Sequence, residues 1–357
     1  MPAIASPPTV SVVICSYTMA RWDLLMKVID SVQAQSHPAK QTLVVVDHNP
    51  DLYKRLIETV RDALIVENTG PQGLSGARNT GVGLATSEIV AFLDDDAEAA
   101  PDWLERLIPF YDDPDVLAVG GRVVPVWEVG RPGYFGEELD WIVGCSHRGL
   151  PRVASEVRNV IGANMSFRRE VLLQVGGFNV ALGRQGSLPL GCEETEICIR
   201  STIGAPGTRV VYEPAAVVHH FVPAERGKLR YMLARSWSEG ISKAQVSQLV
   251  GHKRTLGPER RYVRRILPRA VLSGLKAWVV GHDREGLSRA GAVVAVLAFT
   301  TGGYVRGRQL THADASESAS PLRAQWRAAE RAHLLLSHRG RDEGTTAAWR
   351  RRRSPRG

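Results

Sequence analysis

Short β-branched runs alternate with helical periodicity through the front half of the chain. VSVVIC (10–15) and TLVVVD (42–47) are unbroken apolar runs ending in polar residues, the pattern of strands buried on both faces. Between them Trp22, Leu25, Met26, Ile29 and Val32 recur at helical spacing. ALIVEN (63–68), EIVAFLDDD (88–96) and VLAVGGRVVPVW (116–127) predict three further strands, with helices over 77–85 and 101–111. Strand–helix–strand alternation of this kind predicts βαβ units and an α/β domain with a mostly parallel sheet. Such sheets hold ligands at the carboxyl ends of their strands, where Asp47, Asp94, Asp95 and Asp96 fall. Residues 128–190 are mixed, and 191–220 return to a helix followed by the strand RVVYEPAAVVHH.

From 221 onward the pattern turns helical and basic. Leu229, Leu233, Trp237 and Ile241 recur every fourth residue among Lys228, Arg230, Arg235 and Lys243. Leu267, Val271, Leu275 and Trp278 repeat that spacing beside Arg264, Arg265, Arg269 and Lys276. Basic amphipathic helices with Trp on the apolar side suit an anionic membrane surface. Packing on the catalytic domain or in a dimer is equally consistent with the pattern. The apolar run 290–305 is 16 residues long, short of the roughly 20 of a spanning helix, so it predicts a shallow insertion or a buried helix. Beyond Arg306 the chain is polar, Ala- and Arg-rich and ends WRRRRSPRG, a composition that predicts disorder. The expected organisation is a domain over 1–222, a basic helical annex over 223–310 and a tail over 311–357.

Composition narrows the class only a little. With 357 residues, 44% hydrophobic and 23% charged, the chain is neither collagen-like, nor a disulfide mini-protein, nor wholly disordered. The net charge of +8 hides a split. Residues 1–220 carry 18 Lys and Arg against 27 Asp and Glu, a net of −9; residues 221–357 carry 27 against 10, a net of +17. That asymmetry predicts a cation-dependent chemistry site in front and an anionic partner behind. The tail has no stacking platform or nucleic-acid module around WRRRR, so nucleic acid is not the expected partner. Cys15, Cys145, Cys192 and Cys198 show neither a disulfide framework nor paired CxxC spacing, which predicts a reduced, cytoplasmic setting. The opening MPAIASPPTV lacks the basic and apolar regions of a signal peptide.

Three acidic or imidazole elements stand out. Asp94, Asp95 and Asp96 end an apolar strand, and adjacent carboxylates repel unless a cation or open solvent relieves them. Position at the end of a buried strand favours a divalent ion over a solvated turn. In GCEETEICIR (191–200), Glu193 and Glu196 lie one helical turn apart while Glu194 points elsewhere. These acids serve either the macrodipole of a helix N-terminus or, as a general base, an incoming hydroxyl. At the end of the last strand, alternation puts Ala216, Val218 and His220 on one face and His219 on the other, and an imidazole beside an acid-bound cation is a further ligand candidate.

Six segments in this order resemble family 2 glycosyltransferases, inverting enzymes with the GT-A nucleotide-sugar fold. They are SVVICSY (11–17), VVVDHN (44–49), GLSGARNTGVGLATSEIVAFLDDD (73–96), IGANMSFRREVLLQVGGFN (161–179), GCEETEICIR (191–200) and YEPAAVVHH (212–220). The resemblance implies a Rossmann-like GT-A domain in which Tyr17 stacks on the nucleobase, Asp47 accepts from it, and Arg78 faces the nucleotide and its phosphates. Asp94, Asp95 and Asp96 match the family's DxD element, with Asp96 the metal ligand, Asp94 or Asp95 nearer the ribose, and Asp94 a second candidate ligand. Glu193 and Glu194 match its Glu-Asp pair. Glu194 stands where the presumed base is, one methylene longer than the usual Asp. The pattern P-x-A-x-V-x-H puts the metal-proximal imidazole at His220, and Arg200 matches an Arg that follows the acid pair.

The implied reaction is a single displacement: Mg²⁺ or Mn²⁺ neutralises a leaving nucleoside diphosphate, that of a UDP-sugar by expectation, while Glu194 deprotonates the acceptor hydroxyl. DWIVGCSHRGLP (140–151) further resembles members that extend polyprenyl-phosphate-linked sugars, including glucuronosyltransferases. On that basis His147, Arg148 and Arg184 are candidates for holding an acidic sugar or lipid phosphate, and the expected location is the cytoplasmic membrane face. The competing readings are a soluble transferase acting on a polysaccharide or small metabolite, and a non-catalytic nucleotide-sugar-binding protein.

Overall fold

The computed structural model describes residues 7–182, 191–251 and 256–317. Residues up to Arg308 form one compact unit. At its centre is a nine-stranded sheet in the order β3-β2-β1-β4-β8-β6-β9-β5, with β7 paired to β9. The strands are β1 (Val10–Ser16), β2 (Gln41–Val46), β3 (Leu64–Glu67), β4 (Ile89–Asp94), β5 (Ala97–Ala99), β6 (Val116–Trp127), β7 (Ser155–Val157), β8 (Asn164–Arg168) and β9 (Arg209–Val222). From β3 through β4 every pairing is parallel, as the βαβ pattern requires. β8 then runs antiparallel to both β4 and β6, and β6 pairs in parallel with the long β9.

Helices α1 (Trp22–Gln33), α2 (Pro50–Thr59), α3 (Leu74–Leu84), α4 (Trp103–Leu107), α5 (Arg169–Gln174) and α6 (Glu193–Gly204) complete the domain. Alternate residues of β1 feed opposite cores: Val10, Val12 and Ile14 meet α1 residues Leu25, Val28, Ile29 and Val32, while Val13 and Cys15 meet Ala77 and Val82 of α3. A sheet buried on both faces explains the unbroken apolar runs of β1, β2 and β4. At α3 the helix lies so close that a Cβ on Gly81 would sit 2.5 Å from Val13 Cγ1.

Three differences from the sequence pattern matter for the site. The strand expected over 88–96 stops at Asp94, and Asp95 and Asp96 form the turn into β5. The helix expected over 101–111 is the short α4 followed by a 3₁₀ turn, Ile108–Asp112. Within the mixed stretch 128–190, β7 and β8 had no sequence signal.

Behind the domain come α7 (Leu229–Val250), the helix Gly257–Arg261, a π-helical turn Tyr262–Ile266, the helix Leu267–Gly281 and the long helix Arg284–Glu317. Their packing uses glycines as contact points. A Cβ on Gly240 would lie 2.1 Å from the carbonyl oxygen of Thr300, and one on Gly303 2.1 Å from that of Trp237. The long helix runs past Arg306, where a polar tail was expected, and the residues from 318 to the WRRRR end lie outside the described ones. Its segment Arg284–Gln309 is long and apolar enough to cross a membrane by length and composition, longer than the 16-residue run suggested. Even so, Ala292, Val293 and Val296 are buried in the main core cluster.

Candidate active site

Sheet register brings the acids and the imidazole together. β5 pairs antiparallel with β9 so that Ala97 faces His220 and Glu98 faces His219. The preceding Asp96 carbonyl accepts from the Phe221 amide at 2.8 Å. His220 is therefore turned into the cleft and His219 is exposed, the alternation expected from sequence. Donor atoms of Asp94, Asp96 and His220 all lie within 4.8 Å of one another. Two carboxylates and an imidazole at that spacing fit a divalent cation of the Mg²⁺ or Mn²⁺ type, the imidazole favouring the softer Mn²⁺.

Positively charged protein groups also lie against the carboxylates. His220 Nε2 lies 3.2 Å from Asp96 Oδ1, and Arg21 Nη1 lies 3.1 Å from Asp96 Oδ2 and 2.6 Å from Asp95 Oδ1. Arg226 Nη2 stands 3.8 Å from the same Asp96 oxygen. Burial alone would raise the Asp96 carboxyl, but His220, Arg21 and Arg226 hold it well below the ordinary range. Asp95 accepts from Ser16 Oγ at 2.7 Å. Behind His220, the Cys145 thiol lies 3.7 Å from Nδ1 and 3.8 Å from the Val143 carbonyl, a chain of contacts that fixes how the ring is turned.

The second acidic element sits at the start of α6, after Cys192 in the left-handed region at φ 72°. Its two glutamates have different fates. Glu193 Oε1 accepts from Arg78 Nη1 at 3.0 Å, and Arg78 Nη2 reaches Asp94 Oδ1 at 3.3 Å. Arg78, 2% exposed, thus ties the two acidic elements together. The other oxygen of Glu193 has no hydrogen-bond partner among the described residues. Glu194 faces the cleft with the Thr195 hydroxyl beside it, at 3.4 Å. Burial, then the charges of Glu193 and Glu239, push its carboxyl up to about 8. Glu196 and Arg200 are spent on structure: they pair at 2.8 Å, and Arg200 Nη2 donates to the Gly177 carbonyl at 2.6 Å.

At the other end of the cleft, Asp47 Oδ1 accepts from Asn68 Nδ2 at 2.6 Å and Oδ2 from the Gly73 amide at 2.9 Å. Tyr17 is 52% exposed, its ring open to a stacking partner, with Arg21 5.9 Å from its centroid. Tyr17, Asp47, Arg78, Asp94, Asp95, Asp96, Glu193, Glu194 and His220 all line one cavity of about 1700 Å³.

Several lining residues carried no sequence signal. Arg21 ends a 3₁₀ turn, Met19–Arg21, and Arg226 lies in another, Ala224–Gly227, just past β9. Of the two readings open for the basic residues of α7, packing holds for Arg235 and Lys243, which turn inward to Glu239 at 2.8 and 3.1 Å. Lys243 also pairs with Glu259 at 2.7 Å, which Arg158 meets at 2.6 Å. Of the candidates for an acidic ligand, His147 lines the cavity, but burial and Lys243 pull it down to about 4, so it is neutral near pH 7. Arg148 pairs with Glu137 at 2.9 Å at an exposed position, and Arg184 lies outside the described residues.

Comparison with known proteins agrees with this geometry. Residues 11–176 match the model of "Glycosyl transferase family 2". The glucosyl-dolichyl phosphate glucuronosyltransferase of Haloferax volcanii is 35% identical over 305 residues, 84% of this chain and 96% of that protein. The chain belongs to glycosyl transferase family 2. A pre-mycofactocin glycosyltransferase of Mycobacterium tuberculosis is 32% identical over 66% of this chain and 46% of its own length. Among solved structures, the mannosyltransferase PcManGT from Pyrobaculum calidifontis, in complex with GDP-Man and Mn²⁺, superposes with a TM-score of 0.52 at 20% identity, over 83% of this chain and 88% of that one. The architecture is thus the expected GT-A domain with C-terminal helices, and the protein is a glycosyltransferase.

Proposed function

We propose that this family 2 enzyme transfers a sugar from a nucleoside diphosphate donor, a UDP-sugar by preference, to a hydroxyl of a polyprenyl-phosphate-linked glycan, with inversion at the anomeric carbon. The observation that carries the reading is the meeting, in one cleft, of the Asp94–Asp96–His220 cluster with Glu194, a carboxyl raised to about 8. A base with its pKa near the working pH and a cation site across the same space are the two parts a single displacement needs. The lipid-linked acceptor is supported by the Haloferax relative, whose printed activity is on glucosyl-dolichyl phosphate.

In this reading Tyr17 stacks on the base of the donor and Asp47, pre-oriented by Asn68 and Gly73, accepts from it. Asp94, Asp96 and His220 hold Mg²⁺ or Mn²⁺, which when bound supplies Lewis-acid stabilisation of the leaving diphosphate. Arg21 and Arg226, already at the Asp96 carboxylate, add positive charge where the diphosphate charge develops. Arg78 holds Glu193 in place, which leaves Glu194 to act on the acceptor. Glu194 takes the acceptor proton as the acceptor oxygen bonds to the anomeric carbon, and the bond from that carbon to the diphosphate oxygen breaks on the opposite face.

We place the enzyme on the cytoplasmic face of a membrane. The helix Leu267–Gly281 leaves Leu272, Trp278, Val279 and Val280 exposed, Val280 by 69%, with Lys276 and Arg284 nearby in sequence.

A panel of UDP- and GDP-sugars with a polyprenyl-phosphate-linked sugar as acceptor tests the reading. Transfer in Mn²⁺, lost on chelation and restored by Mn²⁺ but not in Asp96→Asn, is the expected result. Transfer that is unaffected by both chelation and Asp96→Asn contradicts it.

A further inference from the structure

The cavity extends well beyond the donor groups, and its far wall comes from the C-terminal helices. The cations on that wall fall into two sets. Arg158, Arg235 and Lys243 are neutralised by Glu239 and Glu259. Arg261, Arg265 and Arg269, four residues apart, line the cavity at exposed positions and have no acidic partner among the described residues. Their neighbours Arg260 and Arg264 lie on the same segment but do not line it. Arg269 donates to the Arg265 carbonyl at 2.8 Å, which steadies one end of the row.

Two features mark the row as more than a solvated face. It runs across the π-helical turn Tyr262–Ile266, an irregularity that tends to persist where a function maintains it. That turn is anchored by a short bond from the Tyr262 hydroxyl to the Glu138 carbonyl and by edge contact with His147, ring centres 4.9 Å apart. Beside the row, the cavity wall is apolar: Val263, Ile266, Leu267, Val296 and Leu297. The diphosphate of the donor has its own counter-charges in Arg21 and Arg226, so the row is surplus to the donor. A ligand carrying one phosphate next to a hydrocarbon chain matches both halves of this wall, since guanidinium forks suit phosphate oxygens and the apolar strip suits the chain.

We infer that Arg261, Arg265 and Arg269 bind the phosphate of the lipid-linked acceptor, with the first part of its prenyl chain against Val263, Ile266, Leu267, Val296 and Leu297. The inference rests on the lipid-linked acceptor proposed above and says which residues select it. The row positions the acceptor and takes no part in proton transfer. Its loss therefore raises the acceptor KM and leaves kcat and the donor KM in place.

The test uses the full chain in non-ionic detergent micelles, with two acceptors: a prenyl-phosphate-linked sugar, and the same sugar on an alkyl chain of matching length without phosphate. Arg261→Gln/Arg265→Gln is compared with Arg260→Gln/Arg264→Gln, which removes equal charge from the same segment. Loss of a charge-assisted phosphate contact is worth about tenfold or more in KM. The first pair should show that rise for the phosphate-linked acceptor only, and the second pair none. Equal effects of both pairs, or an effect seen only in anionic vesicles and absent from micelles, overturn the inference in favour of a bilayer headgroup. A wild-type enzyme that transfers to neither acceptor, while glycosylating a water-soluble glycan, overturns the lipid-linked reading itself.

Discussion

At the scale of single residues, the site depends on two neighbouring glutamates being made unlike. Glu193 is paired with Arg78, while Glu194 is half-buried at the cleft, beside the Thr195 hydroxyl and flanked by Glu193 and Glu239. A base must be ionised to accept a proton, so kcat/KM should climb with pH through about 8 and level off above it. Glu194→Gln should lower kcat by about 10² to 10⁴ and remove that limb. The same shift bears on stability. The folded protein prefers the neutral carboxyl, so its contribution is full below the ordinary value of 4.5 and is lost as pH rises through about 8. Above pH 8 the Gln variant should therefore melt at a higher temperature than the parent, while the two converge near pH 4. Thermal melts across that range check it; a variant that is less stable at pH 9 contradicts the burial argument.

The acids of the site were legible because carboxylates at strand and helix ends are conspicuous in sequence. Two of their partners were not. Arg21 and Arg226 come from 3₁₀ turns without periodicity, and only the fold places them at Asp96.

Among elements, the parallel strands were readable because burial on both faces leaves an unbroken apolar run. β8 was not, because its polar residues are buried and satisfied. Asn164 accepts from Trp103 Nε1 at 2.8 Å and donates to the Ala216 carbonyl at 2.9 Å, while Ser166 accepts from the Tyr111 hydroxyl at 2.8 Å. In sequence, NMSFR falls in the stretch read only as mixed. For α7 the pattern left membrane surface and packing equally open, and Arg235 and Lys243, each one turn from Glu239, are packed inward. What holds α7 is backbone contact with the long helix at Gly240 and Gly303. Gly240→Val has no room against the Thr300 carbonyl, and overpacking of this kind costs about 1–3 kcal/mol. It should lower the melting temperature and weaken acceptor use more than donor binding, since the helices wall only the far part of the cavity. Isothermal titration with the nucleotide alongside a transfer assay separates the two. Equal loss of both contradicts this division.

For the whole molecule, the charge split now has a partial structural account. In the proposed reading the acidic front supplies the cation cluster and the base. Part of the basic rear is consumed by Glu239 and Glu259, and Arg260, Arg261, Arg264, Arg265, Arg269 and Lys276 lie exposed on the segment 257–281. Next to it are Leu272, Trp278, Val279 and Val280. Leu272→Ser/Val280→Ser should reduce co-sedimentation with anionic vesicles while leaving transfer to a detergent-dispersed acceptor unchanged. Unaltered sedimentation would remove the membrane face from the account.

The central claim is a single displacement between Glu194 and a cation held by Asp94, Asp96 and His220, and the anomeric configuration of the product reads it directly. With the donor that proves active, an α-linked nucleotide sugar, proton NMR of the product formed by the full-length enzyme should show a β linkage from the first turnover. An α-linked product would contradict the account.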